Sequence, residues 1–414
     1  MSVGSPVSAR GRGRGGVRGA AGEPVSPPGS RLLLPLIALC TAVTAANIYL
    51  AAPLLPLIAR DFGTDASSVA WIASVAQFGY AAGLLFFAPL GDRVNRRRIV
   101  GVLAVVTAVA LVGGALAGSA GVLAGAVFLA SAATVVPQLL VPFVASRAPV
   151  ERRARHVAAV IAGLFTGIVA ARVVGGLAGE AFGWRWVFAG AAALTAGLGL
   201  VTAWALPRER PSRSSLFAGL LSMPSLVRRS PELWRACVRQ AGMYGAWSAL
   251  WTSLALLLTG VEGSGSDAGY GMSTATAGLF GLFGLAASVV APLAGGLVDR
   301  FGAAHVVRGA YSVAAVSIPL FWWGGWALPS LFVAAVLIHA ALVASHVANQ
   351  TLALTTTSSP SVANSAYVVA GFAGGATASA LAGVAYGAFG WGGVIGVAGV
   401  WLGVGWGVTA VRRR

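Results

Sequence analysis

The sequence predicts an all-α polytopic membrane protein, with twelve transmembrane helices in two pseudo-symmetric six-helix bundles. Three observations predict it. The 414 residues are 57% hydrophobic and only 9% charged, with a mean hydropathy of +0.83, whereas an ordinary soluble domain carries roughly a quarter charged residues. Apolar stretches of the ~20 residues needed to cross a ~30 Å hydrocarbon core recur along the chain. The second half of the sequence also echoes the first. Together these exclude a soluble enzyme, a secreted disulfide scaffold and a disordered chain.

Taken in order, residues 1–30 form an Arg/Gly-rich tail, expected to be disordered and cytoplasmic. Its Arg10-Gly-Arg-Gly-Arg14 run resembles an RNA-binding segment, but without the interleaved aromatics that single-strand binders use, so no nucleic acid is expected as a partner. The first apolar run starts near Leu32 and is too long for a signal peptide's core, so it reads as the first span. Spans are predicted at 32–58, 67–90, 99–117, 121–146, 157–181 and 187–206 in a bundle covering 31–206. A second set follows at 237–260, 273–298, 306–326, 329–352, 361–386 and 391–411, in a bundle covering 237–414. Residues 207–236, rich in Pro, Ser and Arg, form a linker. Within it Leu216, Phe217, Leu220 and Leu221 share one helical face beside Arg213, Arg228 and Arg229, the pattern of an interfacial helix.

The arginines set the orientation. The chain has no Lys, and of its 28 Arg residues 25 fall on the side of the termini. Arg60 and Arg185 fall on the other side, and Arg172 lies inside span five. By the positive-inside rule both termini are expected to be cytoplasmic, and the inner or plasma membrane is the expected location. Cys40 and Cys237 suggest neither a disulfide framework nor a metal site.

The repeat is specific in register. Leu90-Gly-Asp92-Arg93 recurs as Leu297-Val-Asp299-Arg300, and Phe182-Gly-Trp184 recurs as Phe389-Gly-Trp391, with Gly167/Gly374 and Gly176/Gly383 at the same offset. Windows far apart that share one offset indicate an internal duplication with the halves in parallel topology. A substrate site at the midplane between them is the expectation.

Polar side chains in lipid must face a cavity or a partner helix. Spans three, six, nine and twelve have apolar interiors and read as peripheral supports. The polar set sits in the others: Asn47, Gln77, Gln138, Arg172, His339, His346, Asn349, Gln350 and Asn364. Arg172 stands well inside its span and must be compensated, either structurally by carbonyls or Glu180, or as a cavity cation for an anionic or hydrogen-bond-accepting substrate. His339 and His346 lie two turns apart on roughly one face, which Gln350 extends. Either could carry a coupling proton or be a satisfied packing residue. Gly163, Gly167, Ala171, Gly175 and Gly179 repeat every four positions, and Gly371 with Gly375 begins a similar row. These rows allow close helix contact.

These features resemble the major facilitator superfamily over essentially the whole chain after the tail. The segment Ala88-Pro-Leu-Gly-Asp92-Arg93-Val-Asn-Arg96-Arg97-Arg98 approximates the family's signature between spans two and three, and Gly295-Gly-Leu297-Val-Asp299-Arg300-Phe-Gly302 fits it better. The resemblance implies that Asp92, Arg93, Arg96, Asp299 and Arg300 gate the cytoplasmic side. Asn47-Ile-Tyr-Leu-Ala-Ala-Pro-Leu-Leu-Pro56, Pro142-Phe with Glu151-Arg-Arg153, Trp251-Thr-Ser-Leu, and Asn349-Gln350 followed by Asn364 and Tyr367 resemble the drug:proton antiporter and sugar-efflux-like branch. In that branch's span-five signature Gly-Pro has become Ala171-Arg172.

The resemblance implies a secondary transporter, not an enzyme, that moves a small organic molecule by alternating access. The resemblance also implies proton-coupled efflux, and the presence of Arg172 without a cavity carboxylate leads to the expectation of a neutral-polar or anionic compound rather than a lipophilic cation. Asn47, Gln77, Gln138, Arg172, Trp251, His339, His346, Asn349 and Gln350 are the expected cavity residues. No cofactor is expected beyond a proton gradient, and the expected partners are the bilayer and the substrate, with the protein a monomer. An importer or facilitator of sugars or organic acids is the second reading. A membrane sensor would want a longer soluble output domain, an intramembrane enzyme would want a nucleophile with a base or paired carboxylates, and no nucleotide-binding Gly-rich Lys motif is present.

Overall fold

The computed structural model describes residues 1, 30–87, 94–147, 153–208, 216–260, 269–355 and 360–410. Regular structure among them is helical. Span one runs Ser30–Tyr49 and then, because Pro53 and Pro56 cannot donate to a continuous ladder, breaks into a 3-10 turn at Ala52–Leu54 and a short helix Leu55–Asp61. This corrects the single helix expected over 32–58. A turn at Ala66–Val69 leads into span two, Trp71–Phe87, and span three is Arg96–Ala115. Span four is Ala120–Ala133 with Val136–Arg147, restarting at Pro137. Spans five and six are Arg153–Phe182 and Trp184–Ala205.

A linker helix, Leu216–Arg229, occupies the stretch where an interfacial helix was expected. Span seven then begins at Pro231 rather than 237. The Ser230 hydroxyl accepts from the Leu233 amide at 3.4 Å and Pro231 takes the first helical position, a start signal inside the expected linker. Span eight is Thr274–Leu279, a 3-10 stretch Phe280–Leu285, and Ala286–Phe301. Span nine is Ala303–Trp323 and span ten is Leu328–Thr355. The helix Pro360–Ala410 contains spans eleven and twelve, folded back on one another at Gly390. Among the described residues eleven apolar helices are long enough to cross a membrane, and the last is two crossings, which makes twelve.

The duplication appears in the backbone. Gly183 (φ 88°, ψ 153°) and Gly390 (φ 60°, ψ −150°) occupy the same place in the two Phe-Gly-Trp segments, and each turns the chain between the last two helices of its half. The following tryptophans are both anchored: Trp184 donates to Asp61 Oδ2 at 3.3 Å and Trp391 to the Phe321 carbonyl at 2.7 Å.

Spans three, six, nine and twelve present apolar side chains outward, but they are not set apart as the peripheral ones: spans five and eight do the same through Val174, Leu177, Val289 and Leu293, and span eight is less buried than span three. Span three exposes Val102, Val105, Val109 and Val112, span six Leu194, Val201 and Trp204, span nine Val316 and Trp323, and span twelve Val400 and Val404. Apolar side chains pointing outward are stable only in lipid. Span seven, by contrast, is buried along most of its length. Arg239, near the linker in sequence, lies within that helix and is buried, with its Nε donating to Thr409 at 3.2 Å. Arg172 is therefore not the only buried arginine.

The halves meet most tightly on the face opposite the termini, here the far face. Glycines let spans five and eight touch backbone to backbone: a Cβ on Gly278 would come within 2.6 Å of the Arg172 carbonyl oxygen, and one on Gly176 within 2.8 Å of the Thr274 carbonyl oxygen. Beyond them the Glu180 carboxylate accepts from the Ala275 amide at 2.7 Å. Spans two and eleven meet through the Ser74 and Ser379 hydroxyls, 2.7 Å apart.

Candidate functional site

Arg172, Trp251 and His339 come together at the seam between the halves. Arg172, on span five, is 9% exposed. Its guanidinium lies over three ring faces: Trp251 at 4.8 Å, Trp247 at 5.5 Å and Tyr49 at 5.8 Å. Among the described residues Arg172 forms no ion pair, and its Nε has no hydrogen-bond partner. Glu180 is committed to Ala275. A central arginine costs ~2.5–3.5 kcal/mol on insertion scales, while a desolvated cation–π contact contributes up to about 2 kcal/mol. Three rings are of the right size to hold the charge without a carboxylate.

The rings are fixed in turn. Trp247 and Trp251 lie one turn apart on span seven and stack at 6.1 Å, 9° from parallel. The Trp247 indole N–H donates to His339 Nε2 at 3.1 Å, and His339 Nδ1 donates to the Ala335 carbonyl at 2.7 Å. An indole can only donate and a carbonyl only accept, so His339 is neutral here with its proton on Nδ1. Its ring meets Trp251 edge to face at 4.3 Å. Tyr49, from span one, joins Tyr244 of span seven through their hydroxyls at 2.5 Å.

Beside Arg172 is a hollow of about 20 Å³, room for about one water. Its walls include Ala52 and Pro53 from the first half and Trp251, Gly278, Phe280 and Gly281 from the second. Arg172 is its one charged group.

The other expected cavity residues are placed elsewhere. Asn47 is tied within the first half, its amide donating to Thr195 at 3.0 Å and Thr134 at 3.4 Å. Gln138 donates to the Tyr80 hydroxyl at 3.4 Å. Gln77 does cross the seam, donating to Ser248 at 2.6 Å. His346 belongs to a second cluster: the Tyr367 hydroxyl donates to Gln240 Oε1 at 2.5 Å and lies 3.3 Å from His346 Nδ1. Asn349 donates to Ser345 at 3.0 Å on its own helix, and Gln350 to Asn364 at 2.8 Å. The two histidines thus serve different neighbours despite their shared helix. Neither Asn47 nor Asn349 shares the hollow with Arg172: the Asn47 amide bonds hydroxyls of its own half, and the Asn349 amide bonds Ser345 on its own helix while its buried Oδ1 has no partner among the described residues.

Of the expected gate residues, Asp92 and Arg93 lie outside the described residues. Asp299 and Arg300 are exposed at the end of span eight with no ion pair among the described residues. Arg96 faces the Phe143 ring at 5.6 Å, with Arg147 at 5.5 Å from the same ring. Tyr49, Tyr244 and Trp247 had no place among the expected residues. The available signal was the spacing of Tyr244, Trp247 and Trp251, which puts three aromatics on one face of span seven.

A family model described as Major Facilitator Superfamily matches residues 37–276, more than half of the sequence. The chain belongs to the major facilitator superfamily. It is similar to "Probable transporter SCO4007" of Streptomyces coelicolor, with 74% identity over 95% of this chain and 91% of that one. "Multidrug efflux pump LfrA" of Mycolicibacterium smegmatis is 30% identical over 53% of this chain and 44% of its own. The crystal structure of the nucleoside transporter NupG shares the fold, with a TM-score of 0.73 at 12% identity, covering 92% of this chain and 98% of that one. As a major facilitator protein the chain is a multi-pass membrane transporter of small molecules and not an enzyme.

Proposed function

We propose that this transporter is a proton-coupled exporter of a small neutral-polar or anionic molecule, working by alternating access as a monomer in the plasma membrane with both termini cytoplasmic. The observation that carries the reading is Arg172, a buried cation without a carboxylate at the seam of two halves that must part for transport. A cationic substrate would meet a like charge there, whereas an anion or a strong acceptor would find the unpartnered Nε edge. The similarity to LfrA, itself described as an efflux pump, supports the outward direction. The arginine asymmetry supports the orientation. His339, buried, and His346, half-buried, are the histidines available to couple proton movement. Asp92 with Arg93 and Asp299 with Arg300, assisted by Arg96, would hold the cytoplasmic face shut in the opposite state.

The test is uptake into proteoliposomes with and without an imposed pH gradient, comparing anionic, neutral and cationic solutes for wild type, Arg172→Ala and His346→Ala. Gradient-dependent movement of an anionic or neutral solute that Arg172→Ala abolishes is the expected result. Transport of an ethidium-like cation that survives Arg172→Ala unchanged overturns the reading.

A further inference from the structure

The geometry points to a planar aromatic monoanion, such as an aryl carboxylate, as the substrate class. This rests on the proposed reading of Arg172 as the substrate-binding cation. The hollow beside Arg172 is walled by both halves, and they contribute opposite chemistry. The first half brings the charge. The second brings ring faces, Trp251 and Phe280, with Phe280 backed by Phe283 at 5.6 Å and Phe332 at 5.3 Å. Gly278 and Gly281 keep the wall between those rings free of side chains, and Gly281 lies against the stem of Arg172 itself.

When the halves part, the contact that breaks is the cation–π stack of Arg172 on Trp251 and Trp247. The separation strands a buried guanidinium on one wall and bare indole and phenyl faces on the other. A ligand that restores both sides needs a compact anion for the unpartnered Nε and a flat π-system for the rings. Aromatic pairs add stabilisation beyond burial, and a guanidinium–carboxylate pair is charge-assisted. A polyhydroxylated solute fits poorly, because the hollow's lining beyond Arg172 and the Trp251 indole N–H is made of Ala, Pro, Leu, Gly and Phe side chains. An aliphatic anion would satisfy the arginine but leave the ring faces without a stacking partner.

Equilibrium binding of radiolabelled benzoate to the full-length protein in detergent tests this, with cyclohexanecarboxylate, benzamide and benzyltrimethylammonium as competitors. Saturable benzoate binding is expected, with cyclohexanecarboxylate and benzamide each weaker by about tenfold or more. Phe280→Leu, which leaves the three rings over Arg172 in place, is expected to erase the preference for benzoate over cyclohexanecarboxylate, and Trp251→Leu to erase it while weakening the binding of both anions. Thermal unfolding checks that each variant is folded. Equal competition by cyclohexanecarboxylate in the wild type overturns the aromatic inference and leaves the anion reading standing. Competition by benzamide or benzyltrimethylammonium as strong as that by benzoate overturns the anion reading itself, and absence of saturable benzoate binding overturns the substrate class proposed here.

Discussion

The phenol oxygens of Tyr49 and Tyr244 lie 2.5 Å apart, so a single hydrogen bond links span one of the first half to span seven of the second. Both rings also pack on Trp247, at 6.2 and 5.3 Å between centroids. The pair therefore belongs to the same assembly that holds Arg172. It can exist only while the halves are together at this level, which makes it a reporter of the conformational equilibrium.

Tyr244→Phe removes the bond and keeps the ring. A net hydrogen bond contributes about 0.5–1.5 kcal/mol, so the ratio of far-face-closed to far-face-open protein is expected to fall roughly two- to tenfold. Spin labels at Thr64 and Ala388, both exposed on the far face, would report the change as growth of a longer-distance population. An unaltered distance distribution would show that the bond does not bias the two states.

The glycine contact between spans five and eight leads to a steric prediction. Gly278→Ala places a methyl 2.6 Å from the Arg172 carbonyl oxygen, and the backbone there has nowhere to yield. The variant is expected to fold, because the clash lies between halves, but it should fail to close the far face. Labelling of an Ala52→Cys probe by a membrane-impermeant maleimide added from that face should speed up several-fold. Gly190→Ala, where an added Cβ meets nothing within 4 Å, is the control and should label like wild type.

Trp247→Phe preserves most of the packing and removes the N–H that His339 Nε2 accepts. Stranding a buried acceptor costs about 1–3 kcal/mol, so the unfolding midpoint in detergent should drop clearly. Adding His339→Leu removes the stranded acceptor, and the double variant should lose less than the two single changes added together. Strict additivity would mean that the indole and the imidazole are not energetically coupled.

The division between what the sequence disclosed and what it withheld follows from how each signal is encoded. Span number and the duplication rest on hydropathy and register, which local sequence carries; which spans face outward does not, and span eight is exposed although the sequence reads it as lining the path. Arg172 was legible because one charge in a long apolar helix has few explanations. Asn47 was misleading: its partners Thr134 and Thr195 sit on spans four and six, and hydroxyls in an apolar segment leave little trace in a hydropathy reading. Tyr49, Tyr244 and Trp247 were hidden for the opposite reason, since their ring faces count as apolar although they hold a cation. Arg239 gave no signal, because it lies only two residues inside the expected start of span seven at 237 and reads as one more arginine on the side of the termini.

The two Phe-Gly-Trp turns test whether the duplication is conserved physics rather than coincidence of letters. Gly390 holds φ 60° with ψ −150° and Gly183 holds φ 88° with ψ 153°, regions that are essentially closed to residues with a Cβ. Space is not the constraint at Gly183, where an added Cβ meets nothing within 4 Å; the backbone angle is. Gly183→Ala and Gly390→Ala should therefore each cost about 1–3 kcal/mol, measured as a lowered unfolding midpoint. Gly113→Ala, with φ outside the positive region and an equally open surrounding, should be neutral or slightly stabilising because it sits inside a helix. A loss at only one of the two turns would mean that the halves reach the same bend by different means.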